Sequence, residues 1–248
     1  MKSPIISGIL LSCSFFILSG CDIIGSYERG NSHVITTTRQ TGSFDRITLG
    51  GNFEITLRKG PAEEVSITTD ENLEPLIEVN VSNGELEITS RKKLISAHKS
   101  RIEIVYNYIE DIRVYGATLL NNEDVLESDH LSIRMEGAGV IELQLKAAEL
   151  NTELSGAGLV KFRGYAAVAD ISMSGAGSLE AFDLETLNCK IDVSGVGSAK
   201  INVMKELNAS IAGLGGIKYI GNPEKVHKHV TGVGTIKEEG LARDESVI

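Results

Sequence analysis

Between residues 130 and 240 apolar and polar side chains alternate with period two, and a Gly-x-Gly triplet interrupts the alternation at near-constant intervals. The triplets are Gly137-Ala138-Gly139, Gly156-Ala157-Gly158, Gly175-Ala176-Gly177, Gly195-Val196-Gly197, Gly213-Leu214-Gly215 and Gly232-Val233-Gly234. Their first glycines lie 19, 19, 20, 18 and 19 residues apart. Two positions before each triplet stand Met135, Leu154, Met173, Val193, Ile211 and Val230. Two positions after it stand Ile141, Val160, Leu179, Ala199, Ile217 and Ile236. Period two marks strands with one buried face, whereas a helical face needs spacings of three and four. A strand unit of about 19 residues cannot bury its own apolar face, so successive units must stack as coils of a solenoid.

Stacking predicts that like positions form columns. Glu142, Lys161, Glu180 and Lys200 would alternate in sign between vertical neighbours, with Lys218 and Lys237 breaking the pattern, and Arg134 would lie beside Glu153. Such cross-strand pairs favour register by roughly 0.2–1 kcal/mol each. The triplet glycines share the parity of the buried positions. They mark either a corner at positive φ or a close approach of backbone. The intervening column of Ala138, Ala157, Ala176, Val196, Leu214 and Val233 points outward if the strand simply continues. A corner lets it tuck inside, and the corner is preferred, because an exposed apolar ladder is a liability unless it binds something.

The N-terminal half is less regular. Residues 21–40 read as a polar tether, with Gly25, Ser26, Gly30 and the run Thr36-Thr37-Thr38. Ile47, Leu49, Phe53, Ile55 and Leu57 alternate around Gly50-Gly51. Asp70 to Glu78 is the best short helical candidate, with Asp70 as N-cap and Leu73, Leu76 and Ile77 facing inward. Val79 and Val81, then Asn83-Gly84, then Leu86 and Ile88 predict a hairpin on a type I′ turn. Ile102, Ile104, Tyr106, Ile112 and Val114 continue the strands into Gly116-Ala117, an imperfect earlier copy of the glycine corner. The expected organisation is an irregular part over 41–115, regular coils over 116–240 and a frayed tail over 241–248.

Residues 1–20 read as a signal peptide: Lys2 supplies a positive start, and Ile5 to Leu18 is apolar but too short for a comfortable membrane span. Leu18-Ser19-Gly20-Cys21 resembles a bacterial lipobox, which implies cleavage before Cys21 and lipid on its sulfur. The predicted location is the cell envelope, at the outer membrane, facing the periplasm or the surface. Cys13 leaves with the signal and Cys21 takes the lipid, so Cys189 is the only remaining thiol. Its neighbours place it in the core as a small hydrophobe. The formal net charge is −10, and loss of Lys2 makes it −11. A polyanion, nucleic acid above all, is therefore an unfavourable partner.

Motifs for cofactor chemistry fail position by position. A dinucleotide fingerprint needs a third glycine where this chain has Glu142, Lys161, Glu180, Lys200, Lys218 and Lys237. Calcium-binding nonapeptide repeats need aspartate where it has Ile141, Val160 and their equivalents. His227 and His229 make at most an incomplete metal site. Asp170 with Asp192, or Glu153 with Asp170, would be brought near each other by stacking, at separations that glycosidases use, but so would many pairs on a solvated acidic face. No cofactor or metal is expected. There is no tryptophan, which removes the commonest sugar platform, though six tyrosines remain.

Several segments together carry a family resemblance. They are Phe44-Asp45-Arg46-Ile47 through Gly51-Asn52-Phe53-Glu54-Ile55, Asp70-Glu71-Asn72-Leu73, Asn83-Gly84-Glu85-Leu86-Glu87-Ile88 and the serial Ser-Gly-Ala-Gly corners. Over roughly residues 40–238 the sequence resembles the putative auto-transporter adhesin, head GIN domain family. The resemblance implies an exported bacterial protein with a right-handed β-helix-like fold, and it carries over no catalytic residues. The expected function is a lipid-anchored envelope-binding, adhesin-like module without catalysis, directed at an extracellular glycan or an envelope protein. The alternatives are a glycan-active β-helix enzyme and an envelope assembly factor that pairs through a coil end.

Overall fold

The computed structural model describes residues 27–96 and 98–240. The signal segment, Cys21 and the 241–248 tail lie outside the described residues. Nine strands make the N-terminal part: β1 (Tyr27–Arg29), β2 (Val34–Gln40), β3 (Arg46–Gly51), β4 (Glu54–Lys59), β5 (Glu64–Asp70), β6 (Ile77–Ser82), β7 (Glu85–Ser90), β8 (Lys93–Ile95) and β9 (Arg101–Tyr106). Then come β10 (Asp111–Gly116), β11 (Leu119–Asn122), β12 (Leu126–Met135), β13 (Val140–Leu154), β14 (Leu159–Met173), β15 (Ser178–Val193) and β16 (Val196–Ile211). The chain ends in β17 (Leu214–Ile220), β18 (Lys225–Val230) and β19 (Val233–Glu238). From β3 and β4 onward successive coils pair in parallel, giving a β-solenoid of about 7 turns with roughly 19-residue spacing.

The predicted columns are present. Ile47, Ile112, Ile133, Thr152, Ile171, Ile191 and Ala209 are partnered in sequence down one wall. Ile55, Leu120, Ile141, Val160, Leu179, Ala199 and Ile217 run down another. All of these are buried. Glu142, Lys161, Glu180 and Lys200 are partnered in that order, and Lys200 Nζ lies 3.3 Å from Glu180 Oε1. Arg134 Nε lies 3.4 Å from Glu153 Oε2. The uneven steps in the repeat also have a cause. Between β14 and β15 the pairing shifts after Lys161, so that β15 carries one extra residue before Leu184.

The glycines resolve in favour of close approach. None of the twelve repeat glycines has positive φ, whereas Gly51 and Gly116, which begin the same column, do. At the bend the Cα substituent direction turns along the stack. A Cβ on Gly156 would strike the carbonyl oxygen of Gly137, one on Gly175 that of Gly156, and one on Gly195 that of Gly175. The parallel ladder continues through the bend: Ala157 N donates to Gly137 O (3.0 Å), Ala176 N to Gly156 O (3.1 Å) and Val196 N to Gly175 O (3.0 Å).

Three expectations are corrected. The residues between the glycines do not tuck inside. Ala138, Ala157 and Ala176 are exposed, and Val196, Leu214 and Val233 are 58%, 54% and 77% exposed. The bend aims the glycine positions along the axis and leaves the residue between them on the outside. Asp70–Glu78 is not a helix either. Asp70 ends β5, and only Glu74–Leu76 forms a single 3₁₀ turn, whose N-cap Leu73 makes no side-chain capping bond. Leu73 and Ile77 are buried as predicted, but they cap the core from a turn held to β2. Arg39 Nη2 donates to Glu74 Oε1 (2.5 Å), and so does Thr37 Oγ1 (2.9 Å). Burial alone would raise the Glu74 pKa; these bonds outweigh it and lower it.

The third correction concerns the tether. Tyr27–Arg29 and Val34–Gln40 are strands, β2 lying antiparallel to β5. The polar run Thr36-Thr37-Thr38 is β-branched, and it is knitted to its partner by Thr36 Oγ1 to Thr68 Oγ1 and Thr38 Oγ1 to Ser66 Oγ, both 2.8 Å. Antiparallel β2, β5 and β6 close the N-terminal edge of the stack. The β6–β7 hairpin turns at Asn83 and Gly84, with φ of 50° and 76°, as a type I′ turn requires. At the other end a charge replaces the apolar inward residue: Lys228, partnered with buried Ala209, lays its Nζ 4.7 Å from the Tyr219 ring centroid. An inward lysine on a terminal strand discourages further pairing.

Cys189 sits in the core column between Ala169 and Leu207. It is 2% exposed, and burial, aided by the Asp170 charge, pushes its thiol pKa up to about 12. The folded protein should therefore resist alkylation by iodoacetamide at pH 8 at Cys189 and react there once denatured, as read by mass spectrometry; labelling at equal rates in both states would contradict this burial. Two adjacent glycines give a sharper test of the stack. A Cβ on Gly215 meets the Gly197 carbonyl, whereas one on Gly216 finds its nearest neighbour, Thr235 O, at 3.8 Å. Gly215→Ala should cost about 1–3 kcal/mol and Gly216→Ala should be neutral or stabilise by about 0.4–1 kcal/mol, measured by chemical denaturation.

Candidate functional site

The second bend of each coil falls in the middle of the long strands, and it shows as a slip in burial parity. Ser128 and Leu131, Ala147 and Leu150, Ala166 and Ala169, and Thr186 and Cys189 are successive buried positions three apart instead of two. Asp129, Ala148 and Ala167 fall in these gaps and drop out of the ladder. On this bend, across β12, β13 and β14, lies a hollow of about 510 Å³ lined in part by Tyr108, Glu127, Asp129, Lys146, Ala148 and Tyr165. The volume lies within the range usual for small-ligand sites.

The hollow exists because of side-chain size on three consecutive coils. Glu127, Lys146 and Tyr165 are vertical neighbours. Tyr108 arrives from the β9–β10 connection and reaches the β12 coil, its hydroxyl 3.1 Å from Ser128 Oγ. Ser128 Oγ donates to the His130 carbonyl (2.9 Å), so the Tyr108 hydroxyl is left to donate to Ser128. Two coil steps of about 4.8 Å separate the strand that Tyr108 rests on from the strand that carries Tyr165. At the bend Ala148 and Ala167 carry short side chains that leave the space open, above the buried Ala147. Tyr108 is 40% exposed and Tyr165 half-buried.

The rim mixes acceptors and donors. Glu127 Oε2 lies 3.5 Å from Lys59 Nζ, and Lys146 follows Glu127 in the column. Nearby, His130 Nδ1 lies 2.9 Å from Glu149 Oε2. Tyr106, on the neighbouring strand β9, is buried with its hydroxyl unpartnered; burial, then the Asp124 and Glu127 charges, pushes its pKa up to about 12, so it stays protonated.

The candidate residues from sequence are distributed elsewhere. Asp170 and Asp192 both approach Lys190 Nζ, at 3.4 and 3.3 Å, and Glu153 pairs with Arg134. The hydrogen bond that Lys190 donates to Asp192 and the charge of Asp170 raise the Lys190 pKa, so this cation binds the two carboxylates together on the surface. His227 and His229 are exposed and line a smaller depression of about 190 Å³ with Lys190, Asp192, Asn208 and Ser210. Among the described residues no cluster of three or more His, Cys, Asp or Glu could hold a metal ion, and no helix is long and apolar enough to cross a membrane. The twelve corner glycines hold the first bend together and touch none of this chemistry. Sequence reading missed the hollow because Tyr108 and Tyr165 are 57 residues apart. The three-residue parity slip was the available signal.

The comparisons agree with this architecture. The model for the family described as putative auto-transporter adhesin, head GIN domain, matches residues 43–223. A putative adhesin of Bacteroides fragilis has a similar structure, with TM-score 0.81 and 28% identity over 86% of this chain and 100% of that one. A putative lipid binding protein of Parabacteroides distasonis (TM-score 0.72, 19% identity, 87% and 100% coverage) shares the fold. So does a putative adhesin of Parabacteroides merdae (TM-score 0.62, 23% identity, 86% and 99% coverage). No curated protein matches the sequence. With its glycine-cornered coils and its antiparallel N-terminal edge, this chain belongs to the putative auto-transporter adhesin, head GIN domain family.

Proposed function

We propose that the protein is an exported lipoprotein, held at the outer membrane by acyl chains on Cys21, and that it works as a non-catalytic, adhesin-like binding module. The observation that carries the binding role is the hollow between Tyr108 and Tyr165. It is an open aromatic site on a rigid hydrogen-bonded ladder, where little ordering entropy remains to be lost when a ligand docks. Family membership supports the adhesin-like character. The lipid anchor rests on Leu18-Ser19-Gly20-Cys21. Acyl burial of about 0.8 kcal/mol per methylene, summed over more than one chain, is enough to hold a folded domain at a membrane.

Three expected outcomes follow. Replacing Cys21 (Cys21→Ser) should abolish incorporation of labelled palmitate and move the protein from the membrane to the soluble fraction; unchanged labelling would refute the anchor. The intact protein should bind bacterial envelope preparations in a saturable manner, and Tyr165→Ala should weaken that binding about tenfold without lowering the melting temperature. Incubation with a panel of polysaccharides should release no reducing ends or unsaturated products. Robust turnover of any of them would replace the binding module with an enzyme.

A further inference from the structure

We infer that the ligand of the Tyr108–Tyr165 hollow is an uncharged oligosaccharide. The inference rests on the binding-module reading and narrows its ligand to one chemical class.

The chemistry of the hollow selects among ligand classes. Two phenol side chains, Tyr108 and Tyr165, line it together with the small Ala147, Ala148 and Ala167, and Glu127, Asp129 and Lys146 line it as well. Sugar rings present an apolar C–H face to aromatic surfaces, and their hydroxyls give bonds to carboxylates and accept them from an ammonium. A site with both kinds of surface in a shallow opening suits them. The competing classes fit less well. An acyl chain needs an enclosed apolar channel, and this hollow has carboxylates at its mouth. A polyanion would meet Glu127 and Asp129 on a chain of net charge −10. A peptide docking as an added strand needs a free sheet edge, but along the hollow β13 and β14 each have a parallel partner on both sides, and over the β12 segment 126–131, which pairs only with β13, the Tyr108 side chain reaches Ser128. A ligand that brings many hydroxyls and needs no free backbone groups is the one this surface can satisfy.

The arrangement also gives the site its length. Glu127, Lys146 and Tyr165 continue one outward column over three coils, and Glu185 follows on the fourth. A chain of sugar residues laid along the axis would meet a new side chain at each step of about 4.8 Å. Extended oligomers should therefore bind better than single sugars.

Isothermal titration and saturation-transfer NMR on the full-length chain, in a detergent without sugar head groups, test this directly. The probes are cellohexaose, xylohexaose, mannohexaose, laminarihexaose, maltohexaose and chitohexaose, with hexagalacturonate as the acidic comparison. Saturable binding of at least one neutral hexamer is expected, stronger than that of hexagalacturonate and of the matching monosaccharide. Tyr165→Ala and Tyr108→Ala should each weaken it at least about tenfold, while Tyr165→Phe, which keeps the ring, should stay within about threefold. Ala148→Trp, at an exposed position, should fill the hollow and abolish binding with the melting temperature unchanged. Silence across the neutral panel, preference for hexagalacturonate, or neutral binding indifferent to Tyr165→Ala and Ala148→Trp would each overturn the inference. If the panel is silent while envelope binding still depends on Tyr165, the binding module stands and its ligand is not a neutral sugar. If envelope binding fails as well, both readings fall.

Discussion

The fold depends on backbone meeting backbone at the glycine corner. Each coil turns so that its Cα substituent direction points at the carbonyl of the coil before it, and only hydrogen fits there. Accepting that constraint fixes much else. The ladder passes through the bend without a break, so one coil sets the register of the next and like residues must form columns. Isoleucine and leucine columns then build a continuous core that no single coil has. Because register is inherited, a side chain's neighbours are set by its place in the repeat, and charges of opposite sign can be assigned to adjacent coils.

That inheritance explains which parts of the protein were legible in the sequence. The triplets gave the coil length, and the flanking parity gave the walls. The alternation of Glu142, Lys161, Glu180 and Lys200 gave the vertical neighbours; each is a local pattern repeated often enough to exceed chance. Asn83-Gly84 was legible because a type I′ turn needs two positive φ angles, which that dipeptide accepts. The segment 70–78 misled because Leu73, Leu76 and Ile77 have helical spacing; Pro75 and the tie of Glu74 to Arg39 hold it as a turn instead. Val34–Gln40 misled because its strand is stabilised by hydroxyl pairs across to β5 and not by an apolar face.

The site was less legible than the frame, for a physical reason. The hollow is made of an absence, a run of alanines at the same bend of two successive coils, and of a tyrosine delivered from outside the repeat. Neither leaves a motif. The first bend offers a contrast. Its outward column of alanine, valine and leucine is a strong sequence pattern, yet its strength reflects the glycines on either side and the crowding they prevent. In a solenoid the regular positions report the architecture, and binding chemistry gathers where a coil departs from its neighbours.

The most direct measurement of the stacked-corner account is disulfide formation between cysteines placed in the outward column. Ala157 and Ala176 are exposed and lie one coil step apart, which brings their Cα atoms within the 4.4–6.8 Å that a disulfide spans; Ala157 and Val196 lie two steps apart, at about 10 Å. The pair Ala157→Cys with Ala176→Cys should close quantitatively under mild oxidant in the folded protein, and the pair Ala157→Cys with Val196→Cys should not. Equal closure of both pairs, or closure of the second alone, would mean that the coils do not lie one directly over the next.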